Sequence, residues 1–471
     1  MRFGSKKIPK LFYILTAVYL SYCLMLTPNF LISIPMALFP IFAFRLFWID
    51  KQPNVLFWGM MMQWLYSSMQ LLYCNLLQVT LEERLDDGVF PAKMMDDATL
   101  LSLISLYFFG LGLFLAIRKL HVRNIEEVLN YYSARKIFIL YVVASAIIYF
   151  TSTLIWYFPA IVQYVYFFFY IKWGFFILAF YVVHKRAPNL RFYLYGFLAL
   201  EIVLSFSSFF AGGFINIATY TFVAVLLLQP KLTFRAYFFI AIGAVALFHF
   251  MILWTAIKGE YRSFVSKGKK VQTVLVSRSE SNTKFMELIS NVSGKQYEEA
   301  IIRLVDRIGY IQFFGAALDY VPSKKPFQRG QIYMSAVQHY LVPRFLNPNK
   351  AVLDDSKHTM EFTGIKVSGM SEASSFSLGY VADAYIDFGP FYMFPLLFAF
   401  GYLFGIFYKY LVRKSPNELW VWIVTGPFFL LVNIYGTDTK KALGWILIYF
   451  LTVALLRKQL VKRIDPFIRA K

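Results

Sequence analysis

The sequence predicts an all-α polytopic membrane protein with about twelve transmembrane helices and one large, partly helical extracytoplasmic loop between spans nine and ten. Three observations carry this expectation. Hydrophobic residues fill 59% of the 471 positions and charged residues only 15%, beyond the roughly one-half apolar usage of a soluble domain. The apolar residues gather into runs of about 20, enough at 1.5 Å per residue to cross a hydrocarbon layer of roughly 30 Å. Residues 258–389 contain no such run.

In chain order the runs are 11–26, 30–49, 55–79, 99–117, 137–156, 163–183, 192–208, 214–229, 236–257, 390–408, 419–435 and 442–456. Each is continuous rather than alternating, which specifies helices and not a barrel. The first follows a basic stretch, but no small-residue cleavage site follows Leu26, where the chain reads Thr27-Pro28-Asn29-Phe30; it is therefore read as a span. Three segments follow: 1–257 with spans one to nine, 258–389 as the outer loop, and 390–471 with spans ten to twelve and a basic tail. No internal repeat is evident, which argues against an inverted-repeat transporter.

Lys and Arg near span ends stay in the cytoplasm. The N-terminal segment, the short connections around 51, 118–136, 185–191, 231–235 and 409–414, and the tail 457–471 hold 24 basic residues. The short connections opposite hold four: Arg84, Lys93, Lys440 and Lys441. This places both termini in the cytoplasm and the large loop outside, since long loops translocate regardless of charge. The same bias and the anionic headgroups beside it account for the net charge of +21, so nucleic acid is not an expected partner. Cys23 and Cys74 both fall within spans, which leaves no disulfide framework or Cys-based metal site.

Charges inside the membrane are costly and suggest function unless paired. Lys172 and Glu201 fall at similar depth in spans six and seven, and two readings stand, a structural ion pair or a substrate or proton site. His249, late in span nine, reads as an interior hydrogen-bonding residue. The acidic connection 80–97 reads as a solvated surface.

The large loop holds 17 of the 47 basic and 13 of the 26 acidic residues, and the chemistry is expected there. Lys258 and Arg262 stand at its start, beside Gly259, either as interfacial anchors or as a clamp on a lipid-linked phosphate, for which a guanidinium can donate two parallel hydrogen bonds. Residues 298–320 have helical amphipathic spacing, with Ile301, Leu304, Val305, Ile308 and Ile311 on one side. That helix is expected along the outer interface with its apolar face in the acyl boundary. Arg303 and Arg307 share its polar face and could both reach a diphosphate, or Asp306 could neutralise one of them. After Arg329-Gly330-Gln331-Ile332-Tyr333 a short helix should run to Tyr340 and stop before Pro343, which leaves Arg344 fixed beside a proline.

The run from Arg329 to Lys350, with Gly330, Tyr333, Pro343, Arg344, Pro348 and Lys350, resembles the O-antigen or oligosaccharide repeat-unit polymerase (Wzy-type) family. Ala382-Asp383-Ala384-Tyr385-Ile386-Asp387-Phe388-Gly389 is similar to the acidic, Tyr and Phe-Gly run of that family, and Lys258 to Arg262 to its basic stretch at the loop start. Asn347 and Ala351 depart from the pattern, standing where an aromatic residue and a second proline are common. The resemblance implies a GT-C-like glycosyltransferase of the bacterial inner membrane. It would transfer a growing glycan from undecaprenyl diphosphate to a hydroxyl of a new lipid-linked unit, alongside a chain-length regulator. Such chemistry needs cations for the leaving diphosphate and a base for the acceptor proton. The residues expected to serve are Arg262 and Arg344, then Arg303, Arg307 and Lys350, for the diphosphate; Asp383, then His339, as base; and Lys258, Arg329, Tyr333, Tyr385 and Asp387 for substrate. No metal or other cofactor is expected, because no metal-ligand spacing occurs. The competing readings are an O-antigen ligase-type transferase and a flippase or exporter of lipid-linked glycans, the latter resting on Lys172 and Glu201.

Overall fold

The computed structural model describes residues 2–86, 88–154, 169–206, 212–228, 234–269, 274–341, 353–367 and 375–470. These residues are helical, with no named strand among them. Among the described residues six helices are long and apolar enough to cross a membrane, namely Phe30–Phe47, Ala92–Ile117, Ala134–Thr151, Ala241–Val265, Tyr380–Lys414 and Thr439–Ile468; Lys10–Leu26 and Gly213–Leu228 are shorter apolar helices. Helices Val55–Leu77, Ile171–Arg186 and Arg191–Phe206 cover other predicted runs. The eleventh run is not one continuous helix. It forms two short helices, Glu418–Thr425 and Phe428–Val432, because Pro427 has no N–H for the carbonyl of Ile423. That carbonyl instead lies against Gly174, so closely that a Cβ there would stand 2.0 Å from it.

Close backbone contact also sets the centre of the bundle. Met95–Ile117 crosses Tyr380–Lys414 through Gly112, Ala116, Gly401 and Gly405, the small-residue spacing that lets apolar helices approach. A Cβ on Gly401 would sit 2.0 Å from the carbonyl of Phe109, and one on Gly112 2.0 Å from that of Phe398. Elsewhere proline is accommodated by a donor from a neighbour. Pro40 leaves the carbonyl of Met36 without its helical partner, and Trp64 Nε1 donates to it at 2.9 Å. The segment Ala241–Val265 is packed far less, with 17% of its most apolar stretch buried, against 56% for Ala92–Ile117.

The basic connections meet at one end of the bundle. Gln52 donates to the carbonyl of Arg123 at 2.9 Å, the backbone of Arg123 donates to Glu418, and Tyr132 donates to Asp465 at 2.7 Å. Arg2 pairs with His121 and Tyr132 with Arg469 through isolated bridges, so both chain ends pack on the same connection. Near the opposite end Asn75 ties the first three helices, donating to Tyr19 at 2.7 Å and Ser33 at 2.8 Å and accepting from Asn29 at 2.9 Å.

The glycine crossing is directly testable. Gly401→Leu should lower the unfolding midpoint of the detergent-purified protein, by at least the 1–3 kcal/mol typical of overpacking. Gly196→Ala, where nothing lies within 4 Å, should be neutral or slightly stabilising. Equal midpoints for the two variants would refute the crossing.

Candidate functional site

The site is organised by a break in the helix Tyr380–Lys414. Gly389 has φ 74°, outside helical geometry, and Pro390 follows. Pro390 cannot donate to the carbonyl of Ile386, and the turn at Gly389 displaces the donor for that of Asp387. Both carbonyls are taken by the preceding loop, from Gln328 N–H at 2.9 Å and Arg329 N–H at 2.8 Å. The Asp387 carboxylate meanwhile accepts from the backbone of Ile332 at 3.1 Å and Tyr333 at 3.0 Å, which satisfies first-turn donors of the helix Gln331–Leu341. Gly330, at φ 89°, packs on the ring of Phe388, and Tyr385 donates to the carbonyl of Val321 at 2.8 Å. Two motifs some 50 residues apart in sequence thus form one unit.

One turn before Asp387, the fully buried Asp383 has both oxygens engaged, one by His358 Nε2 at 2.7 Å and the other by the backbone N–H of Thr439 at 2.8 Å. His358 lies on the helix Asp355–Thr363, and Thr439 opens the last helix. The adjacent Asp438 accepts from the hydroxyl of Ser377 and the backbone of Leu378 at 2.9 Å and Gly379 at 3.2 Å. Gly379 and Gly436 are both at positive φ, and a Cβ on Gly379 would stand 3.4 Å from the Gly436 backbone. Asp355 completes the cluster with Lys441 and with Ser375 at 3.2 Å, and Lys440 stands within electrostatic reach of His358. Three carboxylates therefore face His358, Lys440 and Lys441. Burial alone would lower the His358 pKa, but the charge and hydrogen bond of Asp383 outweigh it and hold the imidazole at about 9. Burial, then the charge of Asp383, raises the carboxyl of Asp438 to about 7. The hydroxyls of Tyr333 and Thr439 are buried next to each other beside this cluster.

A second cluster is cationic. Helix Gly294–Gly309 packs on Phe234–Val265 through Ile252, Ala300 and Leu304, and His249 shares a 2.8 Å hydrogen bond with Tyr297, as expected, but it is exposed rather than interior. This brings Lys258 within electrostatic reach of Arg262, Arg303 and Arg307. Arg303 pairs with Glu299 at 3.3 Å, and Arg262 lies over the Trp254 ring at 6.0 Å. Arg307 is exposed and has no ion pair among the described residues. Tyr310, just beyond the helix end, donates no bond here but accepts one from Ser377 N–H at 2.9 Å; it feels the charges of Asp438, Asp355 and Arg307. It is the link between the two clusters.

Two expectations are corrected. The amphipathic helix does not lay its apolar face in the acyl boundary; Ala300, Leu304 and Val305 are buried against Phe234–Val265 and Val55–Leu77. Asp306 neutralises neither arginine of its own helix, and bonds instead to Arg84 and Gln70, both at 2.9 Å. Lys172 and Glu201 are an ion pair at 2.5 Å, and Tyr141 donates to the second carboxylate oxygen at 2.7 Å.

Of the residues expected from sequence, Asp383, Asp387, Tyr333, Tyr385 and the backbone of Arg329 come together around the helix break, with the Arg329 side chain exposed. Lys258, Arg262, Arg303 and Arg307 form the cationic cluster. His339 sits near the end of its helix against Tyr340, ring centroids 5.1 Å apart. Arg344 and Lys350 lie outside the described residues. His358, Asp438, Asp355 and Lys441 were not singled out from sequence. The available signals were Asp354-Asp355 and Asp438-Thr439, each an acid at a helix start. Among the described residues no group of His, Cys, Asp and Glu is arranged to hold a metal ion.

Residues 104–410 match a family described as Domain of unknown function (DUF8712). No curated protein and no solved structure matches the chain.

The pair of His358 and Asp383 has a pH signature. A folded pKa raised from 6.5 to about 9 contributes stability that is complete below 6.5 and lost as pH rises through 9. Asp438, raised from 3.8 to about 7, loses its contribution in a lower window. Between pH 7 and 9.5 the unfolding midpoint should therefore fall, by the equivalent of about 1–3 kcal/mol, and His358→Gln should flatten the slope. An equally steep slope in the variant would show that His358 is not the titrating group.

Proposed function

The chain belongs to the DUF8712 family, and we propose that it is a metal-independent glycosyltransferase that polymerises oligosaccharide units carried on undecaprenyl diphosphate. The observation that carries this reading is the gathering of Lys258, Arg262, Arg303 and Arg307 at the end of an apolar helix, joined through Tyr310 to a buried carboxylate and imidazole cluster. A lipid-linked diphosphate has the matching form, an apolar chain ending in a double anion. The resemblance of residues 329–350 and 382–389 to repeat-unit polymerases supports the same substrate class.

In the proposed reaction an acceptor hydroxyl oxygen attacks the anomeric carbon of the donor glycan. The bond from that carbon to the phosphate oxygen breaks, and its electron pair leaves with the diphosphate. Arg307 and Arg262, aided by Lys258 and Arg303, stabilise the developing charge. The acceptor proton passes to the carboxylate cluster, where Asp438 titrates near neutrality. Asp383 serves by orienting His358, since both its oxygens are occupied. His358, protonated at neutral pH, acts as a charged donor. The buried hydroxyls of Tyr333 and Thr439 supply donors for a sugar hydroxyl. This reading takes the basic end of the bundle as cytoplasmic and the membrane as the bacterial inner membrane, crossed about twelve times, with catalysis on the outer face and a chain-length regulator as a partner.

The test is the length distribution of surface glycan in source cells carrying Arg307→Ala or Arg262→Ala at the native locus, beside a gene deletion, with protein level measured. The deletion should leave a single-unit glycan at the surface. Each substitution should shorten the ladder strongly, consistent with a loss of about 10²-fold in rate for one stabilising donor. Disappearance of surface glycan in the deletion, with lipid-linked units retained inside, would replace the polymerase with a transporter.

A further inference from the structure

A groove of about 470 Å³ runs beside the helix Phe30–Phe47, from Ile34 to Arg45 and Leu46 toward the basic end of the bundle. Ile34, Leu38, Ile41, Phe42 and Tyr107 line it, and Ile8 of the N-terminal segment closes one end. The lining is hydrocarbon. Even the Tyr107 hydroxyl is withdrawn, donating to the carbonyl of Pro35 at 2.6 Å. The helix carries Pro35 and Pro40 here, and Leu38 remains 42% exposed at the rim.

The mouth is cationic. Arg45 is exposed and lines the groove. One of its nitrogens donates to the carbonyl of Lys6 at 2.7 Å, and it has no carboxylate partner among the described residues. The nearest acid in sequence, Asp50, is already held by Lys6 at 2.5 Å and Trp48 at 3.2 Å. Lys7 and Lys10 stand exposed on the same N-terminal segment. An apolar trough ending in an uncompensated guanidinium complements an acyl chain ending in a phosphate.

We infer that this groove binds one phospholipid with an anionic headgroup, its acyl chain along Leu38 and Ile41 and its phosphate on Arg45. The inference is independent of the polymerase reading, since it uses none of the same residues.

The full-length protein in neutral detergent would be incubated with phosphatidylglycerol or phosphatidylcholine of identical chains, and retained lipid counted by native mass spectrometry. Phosphatidylglycerol should be preferred by about five-fold or more, the effect of roughly one basic residue at a membrane surface. Arg45→Gln should abolish the preference and Arg45→Lys should keep most of it. Leu38→Trp, at the rim and outside the core, should reduce retention of both lipids. A preference unchanged in Arg45→Gln, or both lipids retained normally by Leu38→Trp, would overturn the inference.

Discussion

Backbone polar groups inside a membrane protein must be satisfied within the protein, and the structure turns on how this is met at Gly389 and Pro390. A helix that simply broke there would leave buried carbonyls bare, at a cost of several kcal/mol for each in an apolar setting. The loop before Gln331 supplies the missing donors, so the break becomes an attachment point. That attachment fixes the helix bearing Tyr333, and Asp387 fixes its start. It also leaves the short segment holding Asp383 at an angle to the rest of its helix, where it can reach both His358 and the start of the last helix.

Buried carboxylates are tolerated when donors and opposite charges surround them. Asp438 collects a hydroxyl and two backbone donors from one short loop, and both Gly379 in that loop and Gly436 ahead of Asp438 take positive φ. Asp383 and Asp355 take a histidine and a lysine respectively. The cationic cluster is different in kind. Glu299 offsets Arg303, and the nearby Asp306 is committed to Arg84, so a net positive charge remains beside Tyr310.

Much of this was legible in the sequence, and the gaps have physical reasons. Apolar runs located the long apolar helices, because burial and membrane length leave a local pattern. The break in the eleventh run is not visible in the pattern, which counts apolar residues and ignores that Pro427 frees a carbonyl which Gly174 is small enough to receive. Spacing found the amphipathic helix and placed Arg303 with Arg307, yet could not say whether the apolar face met lipid or protein. The motif residues Asp383 and Asp387 were found as a pair, although their partners were not. His358 is 25 residues from Asp383, and Thr439 is 56; contacts at that range follow from tertiary packing and carry no periodic signature.

The carbonyl-on-glycine crossing at Gly112 and Gly401 has a mechanical consequence. Side chains can change rotamer to let helices slide, whereas a peptide oxygen seated on an α-carbon has no such slack. Helix Met95–Ile117 and residues 390–414 of Tyr380–Lys414 are therefore locked to each other where they cross. Phe234–Val265, which carries Lys258 and Arg262, has no such seat, since nothing lies within 4 Å of a Cβ placed on its Gly243 or Gly259.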